Sequence, residues 1–336
     1  MRVLFVSKPI VPPWNDGSKN LVRDLVAHLR AHTTTMSGGK LALFRQLLRD
    51  REHDVWHFVF APNRASSIAA RAAIAVRRFR PVVQTIASRP KQRDRALIFG
   101  DVVIALSEWS RGNLIGMGVP SSRIRVIPPC APRPDVTDDR KRAIRAALGV
   151  GDAPIVLYPG DYEVSTGAAT VAQSVPAIVQ AVPEARIVFA CRKKTPHAEE
   201  AQRALSTDSK YTVHAGDVSD MPALIAASSV IAFPVDDLYG KVDLPLVLLE
   251  ALSLGIPMVL ARGGPLEAIE TALFVEPRDA DGLAKNVLEA LRGGPAEGRA
   301  GVRLWEERFT PQRMAAAHDD LYEEALRAKS TGPRSR

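Results

Sequence analysis

Between Asp243 and Ala261 the chain reads DLPLVLLEALSLGIPMVLA, an apolar run in which Glu250 is the one charge after Asp243. Pro245 suits the first position of a helix, where its missing N–H would have no partner anyway. Gly255 and Pro257 end that helix before a buried strand at Met258–Leu260. A helix N-terminus presented at the edge of a parallel sheet collects phosphate oxygens, because its first N–H groups are unpaired and the helix dipole favours negative charge. A carboxylate two turns in, as Glu250 would be, can accept hydrogen bonds from ribose hydroxyls. The segment is a candidate nucleotide cradle. The plain alternative, that Glu250 lies on a solvated helix face, is not separated from it by spacing alone.

Other chemistries lack their constellations. The loop after the first strand carries one glycine, in Asn15-Asp16-Gly17-Ser18, and not the spaced glycines of a dinucleotide fingerprint, so neither NAD nor FAD is expected. No Ser-His-Asp grouping with a nucleophile elbow and no Cys-x-x-Cys pair occurs. Asp236 and Asp237 are adjacent, so as strand-end neighbours their side chains would diverge, and no metal site is expected. Asp161 and Glu163 share one loop, without the opposed placement that glycoside hydrolysis needs.

The elements that must position these residues alternate along the chain. Arg2–Ser7 reads as a buried strand, then a Pro-Pro loop leads to a helix from Lys19 to about Ala31 that Asp16 or Ser18 is suited to cap. A Thr-rich, Gly-rich turn at Thr33–Gly39 precedes a helix around Leu41–Leu48. Strands at Asp54–Phe60, Val82–Ile86, Val102–Leu106 and Arg125–Ile127 alternate with helices at Ile68–Arg78 and Ser110–Met117. A linker runs from Pro129 to about Asp152. Strands at Pro154–Tyr158, Arg186–Ala190, Tyr211–His214 and Val230–Phe233 then alternate with helices at 168–181, 197–205 and Met221–Ala227. Beyond the Glu250 helix and its strand come a helix at Asp281–Leu291, a helix pair at Trp305–Ala328, and a disordered tail at Ala328–Arg336. Strand–helix alternation through both halves predicts two doubly wound α/β domains.

Two blocks carry a family resemblance. Glu250, Ala251, Leu252, Ser253, Leu254, Gly255, Ile256 and Pro257 resemble the donor-binding signature of retaining glycosyltransferase family 4. So does Gly100–Pro129, with Asp101, Ser107, Gly118-Val119-Pro120 and Pro128 in the order that closes the first domain in that family. The resemblance implies an α/β protein of GT-B fold: two Rossmann-like doubly wound parallel-sheet domains facing across a cleft. Residues 1–150 would form a short acceptor domain with its linker, 151–310 the nucleotide-sugar donor domain, and 311–336 a helix returning to the first domain plus the tail. It implies a metal-independent transfer of a sugar from a nucleotide-diphosphate co-substrate, with no cofactor, as in polysaccharide biosynthesis. Asp16 and Gly17, with Ser18 and Lys19, would line the cleft floor. Pro245, Leu246, Val247 and Glu250 would hold the donor, Gly160 would face its phosphates, and Ser88 and Arg89 would touch sugar or acceptor. His57, in an Asp-Val-Trp-His context the family shares, is either a site residue or packing.

The chain also departs from that pattern. The family's second glutamate, eight positions before Glu250, is Val242; Asp243 beside it either substitutes or only caps the Glu250 helix. The two cations that flank the first loop of the donor domain are replaced by Asp161 and Thr166. Arg192, Lys193, Lys194 and Lys241 are the candidate replacements, or the triplet is a solvated run. The histidine that follows the strand at Val82–Thr85 is absent from Ile86-Ala87-Ser88-Arg89. These departures keep a second reading open, a catalytically silent relative that binds a nucleotide sugar or a glycan, and a third, a nucleotide-sugar epimerase for which no acid–base pair is evident.

Composition bounds the partners. Residues 1–150 hold 26 Lys and Arg against 11 Asp and Glu, the remainder 19 against 26, so a basic first half and an acidic second sum to +8. The basic half fits an anionic acceptor, lipid-linked or otherwise, or peripheral contact with the inner face of a membrane. It fits equally an arginine-rich composition with no specific partner. No recognition-helix or aromatic–basic signature accompanies the charge, so nucleic acid is not expected. The apolar run before Lys8 is too short for a secretory signal, Cys130 and Cys191 fall in separate domains, and no stretch spans a bilayer, so a cytoplasmic protein is expected.

Overall fold

The structure, a computed structural model, describes residues 1–331 apart from 15, 61–62, 77–79, 90–93, 194, 206, 239–240 and 294. The chain divides into two compact units: 1–131 with 240–245 and 308–336, and 132–239 with 246–307.

In the first unit the order is β1 (Arg2–Val6), α1 (Gly17–Val26), β2 (His32–Met36), α2 (Lys40–Arg49), β3 (Val55–Phe60), α3 (Arg64–Val76), β4 (Val82–Ile86), β5 (Val102–Ala105), α4 (Glu108–Gly116) and β6 (Ile124–Val126). The strands form one parallel sheet in the order β2-β1-β3-β4-β5-β6. Successive side chains of a strand point to opposite faces, and both faces are covered over the interior strands, so β1, β3, β4 and β5 are largely buried and apolar. Val3 and Phe5 of β1 and Val59 of β3 pack on Leu21 and Leu25 of α1. Leu4 and Val6 of β1 and Phe58 of β3 pack on Leu47 of α2 and Ala70 and Ala73 of α3.

The second unit runs α5 (Asp138–Ala147), β7 (Ile155–Tyr158), α6 (Gly167–Ala181), β8 (Arg186–Phe189), α7 (Ala198–Ala204), β9 (Thr212–His214), α8 (Met221–Ala227), β10 (Val230–Phe233), α9 (Leu246–Ser253), β11 (Met258–Ala261), β12 (Leu273–Val275), α10 (Ala280–Arg292) and α11 (Pro295–Arg308). Its parallel sheet has the order β12-β11-β10-β7-β8-β9. The last helix, α12 (Pro311–Thr331), belongs to the first unit, where Met314, Ala315 and Tyr322 join the cluster over α1. No helix among the described residues is long and apolar enough to cross a membrane.

Three expectations are corrected. Thr33–Gly39 is no plain turn: Thr33–Met36 belong to β2, so the first sheet has six strands. β2 is an edge strand of sequence HTTTM with no buried residue, so no hydrophobic run announced it. β12 is likewise an edge strand, three residues long, and α11 begins at Pro295 with little amphipathic pattern. The tail at 328–331 is helical, part of α12, and 332–336 lie outside the described residues.

Candidate functional site

In each sheet the strand order reverses at one point. The chain passes from β1 to β2 on one side and then to β3 on the other; in the second sheet it passes from β7 through β8 to β9 and then to β10 on the opposite side of β7. At such a switch the loops leaving two adjacent strands part in opposite directions, and the crevice at the strands' carboxyl ends is where open α/β sheets take ligands.

At the second sheet's switch the loops after β7 and β10 are joined. The Thr166 N–H donates to Asp236 Oδ1 at 3.0 Å. Burial works to raise the Asp236 carboxyl, but bonds from Thr166 and the charge of Arg278 outweigh it and hold the group below the usual carboxylate value. The path of the β7 loop is set by Tyr158, wholly buried, whose hydroxyl donates to the Asp161 carbonyl at 2.9 Å. Gly160 fits because there is no room beside that ring: a Cβ at 160 would lie 2.1 Å from Tyr158 Cζ, and one at Gly167 2.9 Å from Tyr158 Oη. In the same loop Glu163 Oε1 accepts from Thr195 at 2.9 Å while the buried Oε2 has no hydrogen-bond partner among the described residues, leaving an acceptor for a ligand hydroxyl.

The other expected donor residues of this unit occupy the loops and helix at that end. Leu246 and Val247 open α9, and Glu250 sits half-buried two residues beyond Leu248, with Leu249, Ala251 and Leu252 buried around it. Lys193, after β8, pairs with Glu199 at 2.9 Å, and Arg192 lies 4.0 Å from Asp217. Lys194 lies outside the described residues. A cation that little in the local sequence marks, Arg278 in the turn after β12, reaches Asp236 with Nε 3.7 Å from Oδ2. Its one sequence signal is the Pro277-Arg278-Asp279 turn ahead of a helix.

Lys241, Asp243 and Pro245 belong to the first unit. Val242 is buried in the cluster over α1, and a Cβ at Gly17 would lie 3.3 Å from its Cγ2, so this segment and the β1–α1 loop meet there. Asp243 is 5% exposed and accepts from Ser107 Oγ at 2.5 Å. Burial pushes its carboxyl up, with the Ser107 and Ser110 bonds drawing it part of the way back. The described contact of Asp243 is thus a tie to α4's capping serine, within the first unit.

The β1–α1 loop is built as a cap. Asp16 accepts from the Lys19 N–H at 3.0 Å and the Ser18 hydroxyl at 2.6 Å, and pairs with Lys8. Burial would raise the Asp16 carboxyl; the bonds from Lys8, Ser18 and Lys19 more than offset it and hold it low. Lys19 Nζ donates to the Val11 and Pro13 carbonyls. Ser88 and Arg89 follow β4 at its carboxyl end, half-buried and exposed. His57 is wholly buried, with Nδ1 2.7 Å from Tyr322 Oη and Nε2 2.7 Å from Thr85 Oγ1, so both ring nitrogens are occupied inside the core. These contacts fit the packing alternative.

The first sheet's own switch carries a cavity of about 270 Å³, at the carboxyl ends of β1 and β3. Val6, Phe44, Phe58 and Phe60 form apolar walls, with Ser7 and Lys8 on its lining.

Residues 153–293, which belong to the second unit except for 240–245, match the family model described as glycosyl transferases group 1. No curated protein matches the chain by sequence. Among solved structures it is similar to Anabaena HepE in complex with UDP-glucose: 16% identity, TM-score 0.74, covering 98% of this chain and 100% of that one. It is also similar to the sucrose-phosphate synthase of Thermosynechococcus elongatus (19%, TM-score 0.72, 97% and 99%). A third is a UDP-forming alpha,alpha-trehalose-phosphate synthase from Burkholderia xenovorans (14%, TM-score 0.71, 96% and 100%). The two six-stranded parallel sheets with flanking helices are those of the GT-B fold.

Proposed function

We propose that this chain is a retaining glycosyltransferase that takes a sugar from a nucleotide-diphosphate donor held on the second unit and passes it to an acceptor held on the first. The observation that carries this reading is the switch point of the second sheet. There a glycine-bearing loop locked by Tyr158, an unpartnered Glu163 oxygen and the Glu250 helix gather within the segment that matches group 1 glycosyl transferases. HepE, similar in fold, binds UDP-glucose. Sugar transfer from such a donor asks the protein to neutralise the departing diphosphate, orient hydroxyls and hold the acceptor; it needs no protein nucleophile when the acceptor attacks the face the diphosphate leaves. The opening N–H groups of α9 would meet the diphosphate, and Glu250 would accept from the ribose hydroxyls.

For the first unit, the apolar cavity at the β1–β3 switch and the surplus of positive charge favour an acceptor that is both apolar and anionic. Val11, Trp14, Leu41 and Ile68 add exposed apolar surface on the same unit. Sedimentation with vesicles containing anionic lipid is expected to carry the protein down at low salt and release it at high salt. Equal sedimentation with neutral vesicles, or none with either, removes the membrane-borne form of this acceptor.

Asp161 and Thr166 at the two expected cation positions, and the burial of Val242, favour one competing reading, a silent relative that binds a nucleotide sugar without transferring it. A thermal-shift panel of UDP, GDP, ADP and TDP with their common sugars, on wild type and Glu250→Ala, tests both. A ligand at ~100 times its Kd stabilises by about 2.7 kcal/mol, a rise of a few degrees. The expected result is one nucleotide that raises the wild-type Tm and leaves the variant unmoved, followed by donor turnover with that nucleotide's sugar. Binding without turnover on any acceptor supports the silent relative, and no shift with any nucleotide sinks both.

A further inference from the structure

Arg278 is the one described non-glycine residue with a positive φ, 68°. An L side chain pays for that left-handed conformation in steric strain that glycine escapes, and such strain persists where the surroundings hold it for a purpose. The turn itself does not require arginine. Asp279, next in the chain, caps α10 through the Gly282 N–H at 2.8 Å, and glycine at 278 would allow the same turn.

What arginine adds is reach. Arg278 follows β12 and Asp236 follows β10, with β11 between those strands in the sheet, and the Arg278 Nε lies 3.7 Å from Asp236 Oδ2. The other oxygen of Asp236 holds the Thr166 amide at 3.0 Å. The guanidinium therefore stands one carboxylate away from position 166, where the resemblance leads one to expect a phosphate-binding cation and the chain has threonine. The contact is longer than the 2.7–2.9 Å of a committed charge-assisted hydrogen bond, and the Arg278 side chain is 72% exposed, against 18% for Asp236. It is tethered on one side and open on the other, with most of its N–H fork available. Two other cations at this end are engaged more closely: Lys193 by Glu199 at 2.9 Å, and Arg262 by Glu276 at 3.4 Å with Phe274 against its face.

We propose that Arg278 supplies the cation of a phosphate-binding site at the second sheet's switch point, replacing from β12 the charges absent at 161 and 166, with Asp236 as the residue that positions it. The ligand is the diphosphate of a nucleoside diphosphate, so the assignment rests on the donor reading above.

Titration calorimetry with UDP, GDP, ADP and inorganic pyrophosphate, on wild type, Arg278→Gly, Arg278→Lys and Asp236→Asn, separates the possibilities. Glycine at 278 relieves the backbone, so the Arg278→Gly protein is expected to melt no lower than wild type and yet bind the preferred nucleoside diphosphate at least tenfold more weakly. Its affinity for the corresponding nucleoside stays within about twofold, and the salt dependence of diphosphate binding becomes shallower. Lysine restores part of the loss, and Asp236→Asn weakens binding less than Arg278→Gly. If Arg278→Gly binds the diphosphate as wild type does, the assignment of Arg278 falls while the donor reading stands. If wild type binds none of the four probes, both fall.

Discussion

Lowering the pH from about 7.5 to about 4.5 is expected to lower the stability of the first unit, by roughly 3 kcal/mol through His318 and further through His57, with Asp243, whose carboxyl burial pushes up, working the other way. The cause is a pair of histidines sealed in the core. Burial pushes His57 well below the ordinary histidine value, with the neighbouring His318 adding to the effect, and burial brings His318 down to about 4 even though its Met314 bond and Asp319 oppose the shift. In the unfolded chain both rings take a proton near pH 6.5. Between that value and about 4 the unfolded state holds more protons than the folded one, so stability falls as pH falls through this window and is fully present above it. Asp16 and Asp50, whose carboxyls the fold holds low, contribute only at lower pH, below the unfolded carboxylate value of 3.8. Hydrogen exchange of the β3 and β4 amides in the presence of moderate urea would follow the first unit alone, since His214 of the second unit is also lowered by burial. The window should vanish in a His57→Gln/His318→Gln double variant. Protection that stays level across the window in wild type, or the same slope in the variant, would sink the account.

The same two rings show what a sequence can carry. His57 stands in a strand whose neighbours are all apolar, and from there it reads equally as a site residue or as packing. What its two nitrogens meet is set by Tyr322, 265 positions away, and by Thr85. Interior strands were legible because both their faces are buried and a run such as VVIA leaves no other use for itself. Edge strands were not: β2 pairs only with β1 and carries three threonines, so its pairing depends on the partner and not on its own pattern.

In the candidate site the helix of Glu250 could be read from Pro245 and Gly255, because caps and breaks are local. Cation replacement could not. Arg192, Lys193, Lys194 and Lys241 are the candidates nearer in the chain, whereas Arg278 lies over 110 residues after Thr166 and reaches Asp236 only because the strand order sets β12 two places from β10. Asp243 shows the opposite limit. Its place beside the expected glutamate position suggests either chemistry or a cap on the Glu250 helix, and neither suggests the buried contact it makes with the Ser107 hydroxyl, 136 positions away. Local signals mark where phosphate can be met; long-range order decides which charges arrive.

Gly160→Ala is expected to damage the second unit and the nucleotide binding proposed for it together, through Tyr158. That ring is wholly buried, packs at 6.1 Å on Phe233 and at 5.8 Å on Phe189, and is pinned at its hydroxyl by the Asp161 carbonyl. A methyl group 2.1 Å from Cζ and 2.3 Å from Oη cannot be absorbed by a side chain held on every side, so either the ring or the loop must move. Overpacking of this kind costs about 1–3 kcal/mol, which lowers Tm by several degrees. The loop is the softer party, and it carries Asp161, Glu163 and Thr166 to the switch point. Nucleotide affinity should therefore fall further than the loss of stability explains, even at a temperature where the variant is fully folded. Replacing Tyr158 by leucine in the same protein opens the space. The double variant Gly160→Ala/Tyr158→Leu is expected to be less destabilised than the sum of the two single changes, because the clash exists only when both ring and methyl are present. Strict additivity, or a Gly160→Ala protein with wild-type Tm and wild-type nucleotide binding, would show that the ring does not set the path of this loop, and the glycine would then have to be explained by direct approach of the donor to its backbone.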